Sequence, residues 1–150
     1  MNSLAETIQI LNEYLQIYQN DLEAYEELAD IYLSISEYKN ALFCIEELIL
    51  NNPKNYIFHL KYADILYTIG DNRNARKYYS QSLNINSESN TRALFGLYLT
   101  CKSLGQEKIN KELSKHAQEK IIDAYSKCGN NEMAQLMSQI FISDSNQSNE

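Results

Sequence analysis

Apolar side chains recur at three- and four-residue intervals along nearly the whole chain. Tyr25, Leu28, Ala29 and Tyr32 fall at i, i+3, i+4 and i+7, one stripe of a 3.6-residue helix. Ala41, Leu42, Ile45, Leu48 and Ile49 form the next stripe, and Pro53 stops it because the ring cannot continue a helix. Ser36-Glu37 between them is a short break, so the spacing predicts two antiparallel helices joined by a tight turn. The pair repeats: Phe58, Tyr62, Ala63 and Leu66, a turn at Gly70-Asp71-Asn72, then Ala75, Tyr78, Tyr79 and Leu83. A less regular unit follows, with Leu94, Leu97 and Tyr98 before a Leu104-Gly105 turn. Its long second helix carries Ile109, Leu113, Ala117, Ile121 and Ala124 as far as Cys128-Gly129-Asn130. Met133, Leu136, Met137 and Ile140 predict a last amphipathic helix over 131–142. The polar stretch 143–150 reads as a disordered tail. Leu4, Ile8, Leu11 and Leu15 predict one helix over 4–19 at the other end.

A single fixed offset lays the pattern on itself without a gap: Ala29 on Ala63, Ala41 on Ala75, Ile45 on Tyr79, Ile49 on Leu83. That offset is a 34-residue period in helix-turn-helix units, the signature of tetratricopeptide repeats. The expected fold is therefore all-α, a right-handed tetratricopeptide superhelix of about three hairpins plus flanking helices. Its units are 22–55, 56–89 and an irregular 90–128. Small residues such as Ala29 and Ala41 belong where the two helices of a hairpin approach closely. Tyr25 occupies the slot where such repeats carry Trp. In the same register the 4–19 helix is the second helix of a repeat whose first is absent. An array should not begin in mid-repeat, since each unit buries its apolar face only against a neighbour. The expectation is the C-terminal part of a longer array; a terminal cap is the other reading.

Composition narrows the function. Four Gly and one Pro in 150 residues argue against a loop-rich enzyme or a β-sandwich. The net charge of −7 is uneven, with ten acids against one base, Lys39, in the first third of the chain. That excess disfavours nucleic acid, whose phosphates require clustered Lys and Arg. No apolar run approaches the ~18 residues of a membrane span, and the first residues lack the features of a signal peptide. Cys44, Cys101 and Cys128 are an odd number, far apart, and read as reduced thiols in a cytosolic setting. His59 sits in a large-aromatic slot, which favours packing. His116 has no second ligand at helical spacing, which disfavours a metal. No nucleophile–base grouping or phosphate loop occurs, so no catalytic residue, no metal and no cofactor are expected.

The runs AYEELADIYLSISEYKNALFCIEELILNNPKN (24–55), KYADILYTIGD (61–71), ARKYYSQSLNIN (75–86) and NTRALFGLYL (90–99) resemble the subunit 2 family of the endoplasmic reticulum membrane protein complex. LNEYLQIYQNDLEAY (11–25) fits the same family, and FCIEELIL, ARKYY and RALFGLY lie partly outside the general repeat consensus. The resemblance implies a non-catalytic tetratricopeptide scaffold on the cytosolic face of the endoplasmic reticulum membrane. It would support a complex that inserts tail-anchored and multi-pass proteins. Its partners would be the other soluble and membrane-embedded subunits, and it would be peripheral through them with no transmembrane segment of its own. The sequence departs from the family in lacking N-terminal repeats and in placing Tyr25 where the family has Trp. Two other readings stay open: a free-standing cytosolic adaptor for a basic or apolar peptide segment, and a regulatory fragment of a larger enzyme.

The expected docking surface is the groove lined by the first helix of each hairpin: Glu23, Glu26, Asp30, Leu33 and Ser34, then Ile57, Leu60, Asp64, Tyr67 and Thr68. Repeats that grip acidic C-terminal peptides use a Lys and Asn clamp, and Glu26 and Asp30 stand at those places here. Carboxylates repel a terminal carboxylate, which disfavours that class of ligand. Glu23, Glu26 and Asp30 instead suit a basic partner segment, with Leu33, Ile57, Leu60 and Tyr67 receiving its apolar side chains. A solvated acidic face is the alternative. Lys108, Lys111 and Lys115 suit anionic lipid head groups, or a solvated face paired with Glu112 and Glu119. Arg73, Arg76 and Lys77 open a helix against its dipole, so a binding role competes there with simple solvation.

Overall fold

The computed structural model describes residues 3–87, 90–105 and 107–147. Short polar residues start its helices by accepting hydrogen bonds from otherwise unpaired backbone N–H groups, each worth about 1 kcal/mol. Asp21 Oδ1 accepts from Glu23 and Ala24 (3.1 and 3.2 Å). Asn55, one repeat later, accepts from Ile57 (3.0 Å). Asp71 and Asn90 do the same for Asn74 and Ala93 (3.2 and 3.3 Å). The elements are α1 (Leu4–Ile17), α2 (Leu22–Ser34), α3 (Tyr38–Asn51), α4 (Tyr56–Thr68), α5 (Asn72–Ile85), α6 (Thr91–Leu104), α7 (Lys108–Lys127) and α8 (Asn131–Gln147). No strand occurs among the described residues. Two successive turns share one backbone solution. Gly70 takes φ 86° after α4, and Ser36, one period earlier, takes φ 62° after α2. A side chain in that left-handed region carries a steric cost that Gly avoids.

α2 packs on α3, α4 on α5 and α6 on α7, while α1 on α2, α3 on α4, α5 on α6 and α7 on α8 join one hairpin to the next. The small residues sit where closest approach demands them. Ala41, Ala63, Ala75, Ala93 and Ala117 are all fully buried, and Ala29 is 1% exposed. Ile45, Leu48, Tyr79 and Ile121 fill the spaces between them. Gly96 serves the same end in α6. A Cβ there would stand 2.3 Å from Tyr79 Cζ, so the missing side chain is the seat of the Tyr79 ring.

Three expectations are corrected by packing. The tail does not fray at Ser143: α8 continues to Gln147. The Tyr98 hydroxyl donates to Asp144 Oδ2 at 2.5 Å, and Lys102 Nζ lies 2.8 Å from the same oxygen, so α6 anchors the last turn. The expected disorder over 148–150 lies outside the described residues. In α8 the inward stripe is the buried Ala134 and Phe141 with the half-buried Met137, the Phe141 ring edge-on to Tyr98; Met133, Leu136 and Ile140 point outward. In α7, Ile109 is exposed and Asn110 is buried. Asn110 accepts from Arg76 and donates to the Gly105 carbonyl (3.3 Å), and an apolar side chain would leave both unpaired.

Candidate partner-binding groove

α2, α4 and α6 each contribute one edge to a common surface, and polar side chains tie those edges together. Lys61 Nζ of α4 lies 3.9 Å from Glu26 and 3.7 Å from Asp30 of α2. Asp64 is the register equivalent of Asp30. Its Oδ2 accepts from Arg92 Nε of α6 (2.8 Å) and its Oδ1 accepts from the buried Tyr79 hydroxyl (2.7 Å). Burial, and then that carboxylate, push the Tyr79 hydroxyl pKa well above the usual phenol value. A base on each following helix thus faces an acid on the helix before it.

These two rungs differ in strength. The Lys61 pairs are long and one-third to two-thirds exposed, so each contributes about 0–1 kcal/mol and exchanges readily. Asp64 has both oxygens engaged inside the chain, which ties α4 to α5 and α6. Glu23 is exposed in the first turn of α2. Leu33, Leu60 and Tyr67 are half-buried against the core, and Ile57 is 42% exposed. Ser34 and Thr68 spend their hydroxyls on the Ile31 and Asp64 carbonyls (2.6 and 2.8 Å). The surface therefore offers Glu23, Glu26 and Asp30 at one end and apolar Leu33, Ile57, Leu60 and Tyr67 beside them. Helix-held side chains lose little freedom when they meet a partner.

Lys61 and Arg92 are the residues that sequence spacing does not reveal. Neither stands in the repeat register of the acids it meets, and only the stacking brings them together. Elsewhere, Arg76 is engaged with the buried Asn110, which makes it structural. Lys108 pairs loosely with Glu112 at 3.9 Å on an exposed face. His59 is 1% exposed and its Nε2 meets the Pro53 carbonyl at 2.9 Å, a packing role.

Stacked helix hairpins at a constant pitch, with a shared surface on the first helices, define a tetratricopeptide solenoid. The structure of the MamA protein has this fold, with a TM-score of 0.65 at 16% identity over 91% of this chain and 79% of that one. More narrowly, the family model of the EMC2 TPR-like repeat domain matches residues 1–85, and the chain belongs to that family. It is 48% identical over 99 residues to ER membrane protein complex subunit 2 of Xenopus tropicalis, covering 64% of this chain and 33% of that protein. Against the subunit of the same name from Dictyostelium discoideum it is 36% identical over 118 residues, 70% of this chain and 37% of the other. The chain spans about a third of the length of these relatives.

Proposed function

We infer that the protein is a non-catalytic scaffold of the endoplasmic reticulum membrane protein complex, acting on the cytosolic face to support insertion of tail-anchored and multi-pass proteins. Family membership over residues 1–85 is the observation that carries this reading. No helix among the described residues is long and apolar enough to cross a membrane, so attachment to the bilayer would come through partners. The proposed mechanism is recognition by preorganised shape and charge. A basic segment of another subunit displaces Lys61 from Glu26 and Asp30, and its apolar side chains settle on Leu33, Ile57, Leu60 and Tyr67. The exchange costs little because the Lys61 pairs are weak. Asp64 stays on Tyr79 and Arg92 and keeps α4 and α6 in place while the partner docks.

The test is charge reversal. Glu26→Lys with Asp30→Lys should leave the circular dichroism spectrum unchanged and reduce recovery of membrane subunits in a pull-down by tenfold or more. Unchanged recovery would remove the groove from the account.

A further inference from the structure

The first helices α2, α4 and α6 start at equivalent caps, Asp21, Asn55 and Asn90, so positions counted from the cap compare one helix with the next. Two cross-links lay their faces side by side: Lys61 reaches back to Glu26 and Asp30, and Arg92 to Asp64. Along that surface the chemistry changes in one direction. Five residues after the cap stand Glu26, then Leu60, then Phe95. Nine after it stand Asp30, then Asp64, then Leu99. With Glu23 and Glu27, α2 carries four carboxylates and no base. Between α4 and α6, Asp64 and Arg92 neutralise each other. There Ile57 and Leu99 are each 42% exposed, on the same helices as the half-buried Leu60, Tyr67 and Phe95. Single exposed apolar residues are ordinary, whereas a group of them on one face marks a contact surface.

We propose that the groove is polar along its length and holds one partner segment in one orientation, with the segment's basic residues over α2 and its apolar residues over α4 and α6. Phe95 and Leu99 form the far end of the site. This rests on the groove reading above and goes beyond it, since it gives α6 a part in binding and fixes the order of residues in the partner. Charge decides the first end. Of the four α2 carboxylates, Glu26 and Asp30 share Lys61 through long, exposed pairs, so a basic cluster completes the neutralisation. Charge also keeps that cluster from the second end. Arg92 already holds Asp64 and Lys102 already holds Asp144, so a further base there meets cations and apolar side chains. Apolar residues of the partner instead remove Ile57 and Leu99 from water. Neighbouring helices lie about 10 Å apart, so α2 and α6 are separated by about 20 Å, which an extended chain at about 3.3 Å per residue crosses in about six residues. The occupant is thus a short segment whose basic cluster and apolar cluster are centred about six residues apart.

The test is a titration of the ¹⁵N-labelled chain with acetyl-Lys-Arg-Lys-Ser-Gly-Ser-Leu-Phe-Leu-amide, followed by backbone amide signals. Saturable shifts on α2, α4 and α6 are expected. A nitroxide on the basic end of the peptide should broaden amides of α2, and a nitroxide on the apolar end those of α6. Leu99→Glu, on an exposed position, should keep the parent circular dichroism spectrum and weaken the peptide tenfold or more. Glu26→Lys with Asp30→Lys should weaken it as much. Leu50→Glu, on α3 and 73% exposed, should leave it unchanged. No saturable shifts, or broadening that ignores which end carries the nitroxide, would overturn the proposal. Parent-like binding by Leu99→Glu beside a loss in the double variant would overturn the polarity and leave the acidic groove standing. Parent-like binding by both would overturn the two together.

Discussion

Gly96→Ala tests the packing between the second and third hairpins, because two effects of opposite sign meet there. Within a helix, Ala is favoured over Gly by about 1 kcal/mol. Against this, the new methyl would stand 2.3, 2.4 and 2.8 Å from Tyr79 Cζ, Cε1 and Cε2, all closer than carbon atoms approach. Tyr79 is 2% exposed, so its ring cannot swing into solvent. It must shift within the core, at about 1–3 kcal/mol for overpacking. The shift also pulls its hydroxyl from Asp64, a bond to a charged acceptor worth about 1.5–3 kcal/mol. The clash wins, with a net destabilisation of about 2–4 kcal/mol. At this chain length that lowers the melting temperature by about 4–16 °C. Urea unfolding followed by circular dichroism measures it. The register supplies the control. Position 79 is Ile45 one period earlier, so in a Tyr79→Ile background, where the ring is gone, Gly96→Ala should cost nothing or stabilise. A Gly96→Ala protein as stable as its parent, or a cost unchanged by Tyr79→Ile, would refute the reasoning.

The other predictions follow from the same core. Ala41→Glu, which puts a carboxylate at a fully buried contact of α3, should cost more than about 3 kcal/mol in urea unfolding; a parent-like midpoint would show that the register is wrong. Burial pushes the Cys44 and Cys101 thiols up to about 11, whereas Cys128 is exposed. A thiol reagent at pH 8 should therefore label Cys128 alone in the native protein and all three after unfolding, as counted by mass spectrometry. Lys102, and then the Tyr98 hydroxyl, hold the Asp144 carboxyl below its usual value. Its contribution to docking α8 is present above about pH 4, the unfolded carboxylate value, and is lost as pH falls through the lowered native one. Tyr98 is pushed up to about 12, by burial first and then by Asp144. Its contribution is whole below pH ~10 and is lost as pH rises towards about 12. Hydrogen exchange along α8 should show both losses, and Asp144→Asn should remove the acid one.

What could be read from the sequence is what one helix dictates for itself or what the repeat period copies. The stripes on α2 to α5, the buried Ala29, Ala41, Ala63 and Ala75, the stop at Pro53 and the turn at Gly70 all belong to that class. What escaped depends on helices meeting. Asn110 is buried in place of Ile109 because Arg76, on another helix, supplies its partner. α8 is apolar over two adjacent faces, so composition could not decide that Ala134, Met137 and Phe141 turn inward. The helix at 143–147 is held by Asp144 on Tyr98 and Lys102, which belong to α6 and lie far away along the chain. Of the surface proposed for a partner, the acids and apolar residues stand in the sequence pattern but the bases do not. Lys61 and Arg92 obey no spacing rule, and their presence converts an acidic strip into one already half neutralised.

The central claim is that this stack of helices exists to hold other proteins together at a membrane. The direct measurement is to tag the protein in its own cells, solubilise the membranes gently, and quantify what co-purifies. The account predicts multi-pass membrane proteins in fixed proportion to the tagged chain, in a particle far larger than 17.4 kDa. Recovery of the chain alone, or with soluble proteins in no constant ratio, would contradict it.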